Sequence, residues 1–288
     1  MVDCIENIVQ KKKTGEKITM LTAYDYPMAK LVDQAGVDMV LVGDSLAQVV
    51  LGLESTREAT MEMMLHHARA VRRGVQRAVL VGDLPYEAYQ ERPRKAFEQA
   101  KRFIDDAGCN AVKLEWFDKC LDMVEQFYRK GIPVMGHVGL TPQTADRLGG
   151  FKVQGRDASG AKKILENALA LEAAGCFSVV LECVPAELAS LITEHLSIPT
   201  IGIGAGPGCD GQVLVFHDAV GLFDRFHPKF VKTFVSIDRP LVRGLQSYVR
   251  QVKSGRFPAP EHIYTMRPEQ WRMFLEEMAE HDGSRGEE

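Results

Sequence analysis

The 288-residue sequence contains no apolar run approaching the length of a membrane span, no CxxC pair and no surplus charge of one sign. Each absence removes a class of function. Without a run near ~20 apolar residues, no transmembrane helix is expected. The opening text MVDCIENIVQKKKTGEKITM mixes acids with a lysine run, and no continuous apolar stretch leads to small residues. It therefore does not read as a secretory leader. Cys4, Cys109, Cys120, Cys176, Cys183 and Cys209 are scattered through strand-like and helical text, which reads as thiols in a reducing cytoplasm. Lys and Arg number 35 against 39 Asp and Glu, a net of −4, with both signs interspersed. Nothing in that balance asks for nucleic acid or an anionic membrane surface.

What is present is an alternation. Eight short β-rich runs are legible: ITMLTAYD, DMVLVGD, AVLVGDLP, AVKLE, IPVMGHVG, FSVVLECVP, IPTIGIGAG and QVLVFHD. Most are separated by segments such as RPRKAFEQAKRFIDDAG and SGAKKILENALALEAAG, which have apolar residues at helical spacing and finish on glycine. Strand then helix, repeated, predicts parallel β-α units. Eight units predict a single (β/α)8 TIM barrel, a length compatible with one domain. The rival open sheet rests on GPGCDG from Gly206, which formally fits the dinucleotide fingerprint. That fingerprint must follow a strand and open a helix early in its unit, whereas here it lies late and precedes a strand-like run.

In a barrel the loops after the strands build the site, so the strand ends carry the functional reading. They hold Tyr24 and Asp25, Asp44 and Ser45, Asp83, Lys113 and Glu115, His137, Glu182, the glycines from Gly202, then His217 and Asp218. Any one acid is as well explained as a helix cap or ion-pair partner. Asp44 and Asp83, however, fall on adjacent strand ends, about 4.8 Å apart. Two carboxylates at ~5 Å in an effective dielectric near 20 repel by roughly 3 kcal/mol, or about two pKa units. With Glu115 on the next strand, a hard cation such as Mg²⁺ between them is the expected solution. Lys113 and Glu115, two apart in a strand, share a face. An ammonium beside such a cation suits an anionic chelate such as a 2-oxo acid, whose adjacent carbon the metal acidifies. Glu182, across the barrel from Asp44, is either the base this chemistry needs or a partly buried glutamate paired with a cation. His137 is either a substrate-orienting group or a satisfied interior histidine, His66 and His67 read as surface or packing residues, and His217 has no assigned role.

Several strings in order are specific beyond this: MLTAYDYPMAKLVDQAGVD, LVGDSL with VVLG, VGDLPY, AVKLE, GHVGLTPQ, LGGFKVQG, LECVP and IGIGAG with DGQVLVFHD. The chain resembles the 3-methyl-2-oxobutanoate (ketopantoate) hydroxymethyltransferase family. The resemblance implies a cytoplasmic (β/α)8 homodecamer using Mg²⁺. It implies transfer of a hydroxymethyl group from 5,10-methylenetetrahydrofolate to 3-methyl-2-oxobutanoate, giving 2-dehydropantoate for pantothenate and coenzyme A synthesis. It places Asp44, Asp83 and Glu115 at the metal, Asp44, Ser45, Asp83 and Lys113 at the oxoacid, and Glu182 as the base.

The chain departs from the family pattern at Ala47-Gln48 and Trp116-Phe117, where larger side chains are expected to narrow the pocket and bear on substrate preference. Two rivals are a Mg²⁺-dependent 2-oxo acid lyase or mutase of the phosphoenolpyruvate mutase type, and a non-catalytic oxoacid-binding or assembling descendant. The sequence divides into a barrel domain over 1–264 and a C-terminal helical extension with a disordered tail over 265–288. In that extension Trp271, Phe274, Leu275 and Met278 share one helical face, expected to pack on the barrel or a neighbouring subunit.

Overall fold

A computed structural model describes residues 2–283. The eight strands are β1 (Ile18–Thr22), β2 (Met39–Val42), β3 (Val79–Asp83), β4 (Ala111–Lys113), β5 (Val134–Gly139), β6 (Ser178–Glu182), β7 (Thr200–Ile203) and β8 (Gly211–Leu214). All are parallel and pair in sequence order, and β1 pairs with β8, Met20 opposite Val213, to close the barrel. The fold is the predicted (β/α)8 barrel. The glycine loop from Gly206 joins β7 to β8, so it lacks the strand-to-helix setting a dinucleotide site requires.

Around the sheet run α1 (Val2–Thr14), α2 (Tyr26–Gln34), α3 (Leu46–Val49), α4 (Met61–Gly74), α5 (Ala96–Asp105), α6 (Cys120–Arg129), α7 (Ala158–Ala173), α8 (Ala186–His195) and α9 (Phe216–Ala219). Their sequences explain them. Asp25 accepts from the Met28 amide and, with Pro27 in the first turn, caps α2, so this strand-end acid is a cap. Thr60 caps α4 in the same way, and α4 buries Met61, Met64, Leu65, Ala68 and Val71 along one face.

Period-two alternation sorts each strand. Ile18 and Met20, Met39 and Leu41, Val79 and Val81, Ala111, Met135, Val180, Ile201 and Val213 form one buried apolar cluster, the barrel interior. A larger cluster, including Leu80, Phe103, Val112, Phe127 and Leu171, lies between sheet and helices. Helix α1 was not foreseen. Its Ile5 and Ile8 are buried in the interior cluster, and Lys12 Nζ donates to the Thr193 carbonyl and the Asp210 carboxylate, both at 2.8 Å. This helix therefore closes the amino-terminal end of the barrel.

The chain divides into two compact units, Met1–Ser236 and Ile237–Glu288. The second carries α10 (Asp238–Lys253) and α11 (Pro268–Gly283). On α11, Trp271, Phe274, Leu275 and Met278 are exposed, with the Trp271 and Phe274 rings stacked at 5.6 Å. The last five residues of the expected disordered tail lie outside the described residues. Among the described residues no helix is long and apolar enough to cross a membrane.

Candidate active site

The inward columns of the barrel do not stay apolar. Two residues beyond Val81 comes Asp83, beyond Ala111 come Lys113 and Glu115, beyond Met135 comes His137 and beyond Val180 comes Glu182. The alternation that fills the core thus delivers ionisable groups to its carboxyl-terminal end. With Asp44 and Ser45 they line one cavity of about 360 Å³.

Lys113 Nζ donates to both oxygens of Asp83, at 2.8 and 2.9 Å, with both side chains buried. The Asp44 amide approaches Asp83 Oδ2 at 3.4 Å. Ser45 stands at the start of α3, but its hydroxyl does not cap that helix and instead meets the buried Tyr24 hydroxyl at 2.8 Å. His137 lies between two carboxylates, with Nε2 3.2 Å from Glu182 Oε2 and Nδ1 3.8 Å from Glu115 Oε1. Neither ring nitrogen makes a well-directed hydrogen bond.

Two residues missed by the sequence reading, and a third, Tyr24, that it named at a strand end without a role, hold this array. Gln143 is fully buried; its Nε2 donates to Asp44 Oδ2 at 2.9 Å and its amide to Glu115 Oε2 at 3.2 Å. The Tyr89 hydroxyl donates to Gln143 Oε1 at 2.6 Å and accepts from the Glu115 amide at 3.1 Å. Only the GHVGLTPQ string pointed at Gln143.

Burial and mutual repulsion set the charges. Burial, then the charge of Asp83, pushes Asp44 up to about 7. Burial, then Asp44, raises Glu115 well above the carboxylate range. Glu182 rises to about 7 through burial. Burial opposes the Lys113 charge, but Asp83, Asp44 and Glu115 outweigh it and hold the lysine cationic. Burial, reinforced by Lys113, keeps His137 neutral.

Among the described residues no three His, Cys, Asp or Glu side chains are drawn together into a ready-made metal cluster. The donor chemistry nevertheless fits a hard cation: Asp44, Asp83 and Glu115 bring three buried carboxylates to one cavity, and Lys113 balances one of them. Their all-oxygen character suits Mg²⁺ over softer ions.

The end of β6 is shaped for display. Cys183, directly after Glu182, holds φ at 47°, a rare conformation for a side chain of its kind. Gly139 has φ of 96°, and any Cβ there would collide with the Glu182 carbonyl.

Trp116 and Phe117 are not among the cavity-lining residues, which corrects the expectation that they narrow it. The backbone stays paired with β5 beyond Lys113, Leu114 N–H donating to the Met135 carbonyl and Trp116 N–H to that of His137, so with Glu115 inward Trp116 falls on the outer side: its Nε1 reaches the Asn167 side chain on α7 at 3.1 Å, in the amide orientation that satisfies both ends, and Phe117 packs edge-on against Tyr89. Gln48 does line the cavity, while Ala47 is buried in the core. His66 is exposed, and His67 Nδ1 meets the Tyr24 carbonyl at 2.6 Å.

Known proteins share both the sequence and the barrel. A 3-methyl-2-oxobutanoate hydroxymethyltransferase of Syntrophomonas wolfei is 52% identical over 259 residues, 90% of this chain and 94% of the relative. One from Syntrophus aciditrophicus is 54% identical over 253 residues, 88% and 93% of the two chains. Among solved structures, phosphonopyruvate hydrolase in complex with oxalate and Mg²⁺ superimposes with a TM-score of 0.59 at 12% identity, over 97% of this chain and 98% of that one. A 2,3-dimethylmalate lyase of the PEP mutase/isocitrate lyase superfamily gives 0.56 at 15%, over 98% and 99%. At such identities these two speak for the fold alone. The profile of the family named Ketopantoate hydroxymethyltransferase matches residues 3–260, and this chain belongs to that family.

Proposed function

We propose that this chain transfers a hydroxymethyl group from 5,10-methylenetetrahydrofolate to 3-methyl-2-oxobutanoate, giving 2-dehydropantoate on the route to pantothenate, in the cytoplasm and as a homodecamer. Family membership and half-identical relatives of that name support the activity. The observation that carries the chemistry is the division of the cavity floor. Asp44, Asp83, Lys113 and Glu115 gather on β2 to β4, and Glu182 stands alone on β6.

In this reading Asp44, Asp83 and Glu115 hold Mg²⁺, which would draw electrons from the keto oxygen and acidify the neighbouring C3–H. Ser45, held by Tyr24, and Lys113, held by Asp83, bind the oxoacid carboxylate. Glu182 takes the C3 proton. Its value near 7 leaves a usable fraction ionised at neutral pH while keeping it basic enough for the task. The carbon left behind attacks the one-carbon unit of the folate, and water supplies the hydroxyl oxygen of the product as tetrahydrofolate departs. Neutral His137 lies 3.2 Å from that carboxylate without a well-directed hydrogen bond to it.

The test is dehydropantoate formation from the two substrates, with and without chelator. Folate-dependent product that is lost with chelator and restored by Mg²⁺ is expected. Folate-independent cleavage of oxaloacetate-like acids, with no dehydropantoate, would place the enzyme with the lyases instead.

A further inference from the structure

A carboxylate can only accept hydrogen bonds, and Ser45 has a single proton to give it, whereas the ammonium of Lys113 has three. The direction of that one proton is settled behind the cavity wall. Tyr24 is 1% exposed and is not among the cavity-lining residues, yet its hydroxyl lies 2.8 Å from Ser45 Oγ. The Thr22 hydroxyl, at the end of β1, is the second hydrogen-bonding partner of the same phenol. Thr22 Oγ1 in turn accepts from the Phe216 backbone N–H at 2.9 Å. An amide and three hydroxyls thus run from the start of α9, just after β8, past β1 to the residue following Asp44, and β8, β1 and β2 are neighbours in the barrel.

The two ends of this chain fix the order of its protons. The Phe216 amide can only donate, and a carboxylate bound at Ser45 can only accept. Once Ser45 gives its proton to the carboxylate, the 2.8 Å contact behind it holds two oxygens that need a proton between them, and only Tyr24 can supply it. The phenol oxygen then faces Thr22 as an acceptor, and Thr22, itself accepting from Phe216, has its own proton to give. The reverse order would spend the Ser45 proton on Tyr24 and turn a lone pair toward the carboxylate. Burial raises the phenol above its ordinary pKa, so Tyr24 keeps the proton this order requires. Its position is fixed as well: His67 Nδ1 meets its carbonyl at 2.6 Å, and its ring lies 5.5 Å from the His217 imidazole.

We propose that Tyr24 is a positioning residue for oxoacid binding: backed by Thr22, it donates to Ser45 Oγ and so directs the Ser45 proton at the substrate carboxylate. Tyr24 itself does not touch the substrate. Hydrogen bonds in such a chain polarise one another, so the loss of an inner link is felt at the outer one. The inference rests on the reading above, in which Ser45 binds the oxoacid, and adds the residues that give that bond its direction.

Calorimetry with 3-methyl-2-oxobutanoate, on the full-length enzyme saturated with Mg²⁺, tests this through a double-variant cycle. Tyr24→Phe keeps the ring and should weaken the oxoacid by about 3- to 10-fold, with Mg²⁺ affinity in the absence of oxoacid within about twofold of the parent. In turnover the loss should fall on KM, with kcat little changed. In a Ser45→Ala background the same substitution should cost less than about twofold, because no proton is left to direct. Thr22→Val breaks the chain one link earlier; it should give a smaller loss that also vanishes with Ser45→Ala, and it decides the matter if Tyr24→Phe does not fold. Undiminished oxoacid affinity in the folded variant, or a loss that adds in full to that of Ser45→Ala, overturns the assignment and leaves Tyr24 a packing residue. A Ser45→Ala enzyme that binds the oxoacid as tightly as the parent would sink the underlying placement of the carboxylate, and the proposal with it.

Discussion

The side-chain amide of Gln143 donates to Asp44 Oδ2 at 2.9 Å, across 99 residues of sequence, while its oxygen accepts from the Tyr89 hydroxyl. One buried amide thereby fixes the orientation of a proposed metal-binding carboxylate, and its backbone N–H steadies Glu115, a second. Partners of this kind are typically worth 10- to 100-fold in metal affinity. Gln143→Ala is expected to weaken Mg²⁺ by about that factor, read by titration calorimetry without turnover. Tyr89→Phe strands the Gln143 oxygen and the Glu115 amide, and should cost about 1–3 kcal/mol in urea unfolding. Unchanged metal affinity in Gln143→Ala would reduce the network to a structural one.

Asp83 has two duties, and a double variant separates them. Asp83→Asn leaves the Lys113 ammonium buried without its counter-charge, a loss of about 3–5 kcal/mol. Oxoacid binding in the presence of Mg²⁺ should fall as well. Adding Lys113→Met removes the stranded charge and should restore much of the stability but none of the binding. Recovery of both would show that Asp83 serves only to neutralise the lysine.

Glu182→Gln removes the proposed base. We expect kcat to fall by about 10² to 10⁴ with little change in oxoacid Kd, since the loss is confined to proton transfer. In the parent enzyme kcat should rise with pH through about 7, as the carboxylate ionises, and then level. The stability effect runs the other way. Because burial raises Glu182 from 4.5 to about 7, its protonated form favours the native state; that contribution is full below 4.5 and is lost as pH rises through about 7. Stability measured across this window should therefore slope less in Glu182→Gln. A near-normal kcat in the folded variant would transfer the role to His137 or to water.

Phe117 contacts Tyr89 at a ring separation of 5.5 Å and is not among the residues lining the cavity. Phe117→Ala should accordingly lower stability by about 2 kcal/mol while leaving the ranking of branched and unbranched 2-oxo acids as it was. A changed ranking with unchanged unfolding would return Phe117 to the pocket rim.

The strands were legible because parallel strands buried on both faces are written as short apolar runs; β2 and β3 are buried at every position. Asp83, Lys113, Glu115, His137 and Glu182 were legible for the same reason, since an ionisable residue that interrupts such a run in register must point inward, whereas Asp44 falls one residue off the inward register of Met39 and Leu41. Trp116 and Phe117 were misread because nearness in sequence to Glu115 was taken for nearness to the cavity, whereas the backbone stays paired with β5 as far as Trp116 and alternation puts that ring on the face opposite Glu115. Gln143 and Tyr89 were invisible for another reason: a hydrogen bond between distant residues leaves no periodicity. Asp25 read like its neighbours at other strand ends, yet Pro27 two residues on marked it as a cap.

Helix α1 is synthesised well before its anchors. Lys12 waits for Thr193 and Asp210, and β1 waits for β8 before the ring closes. Until some two hundred residues have emerged from the ribosome, Ile5 and Ile8 have no complete interior to enter and remain available to any apolar surface nearby. Helix α1 is thus among the last segments to reach its native contacts, and its handling during translation bears on yield as much as any residue around the carboxylates does.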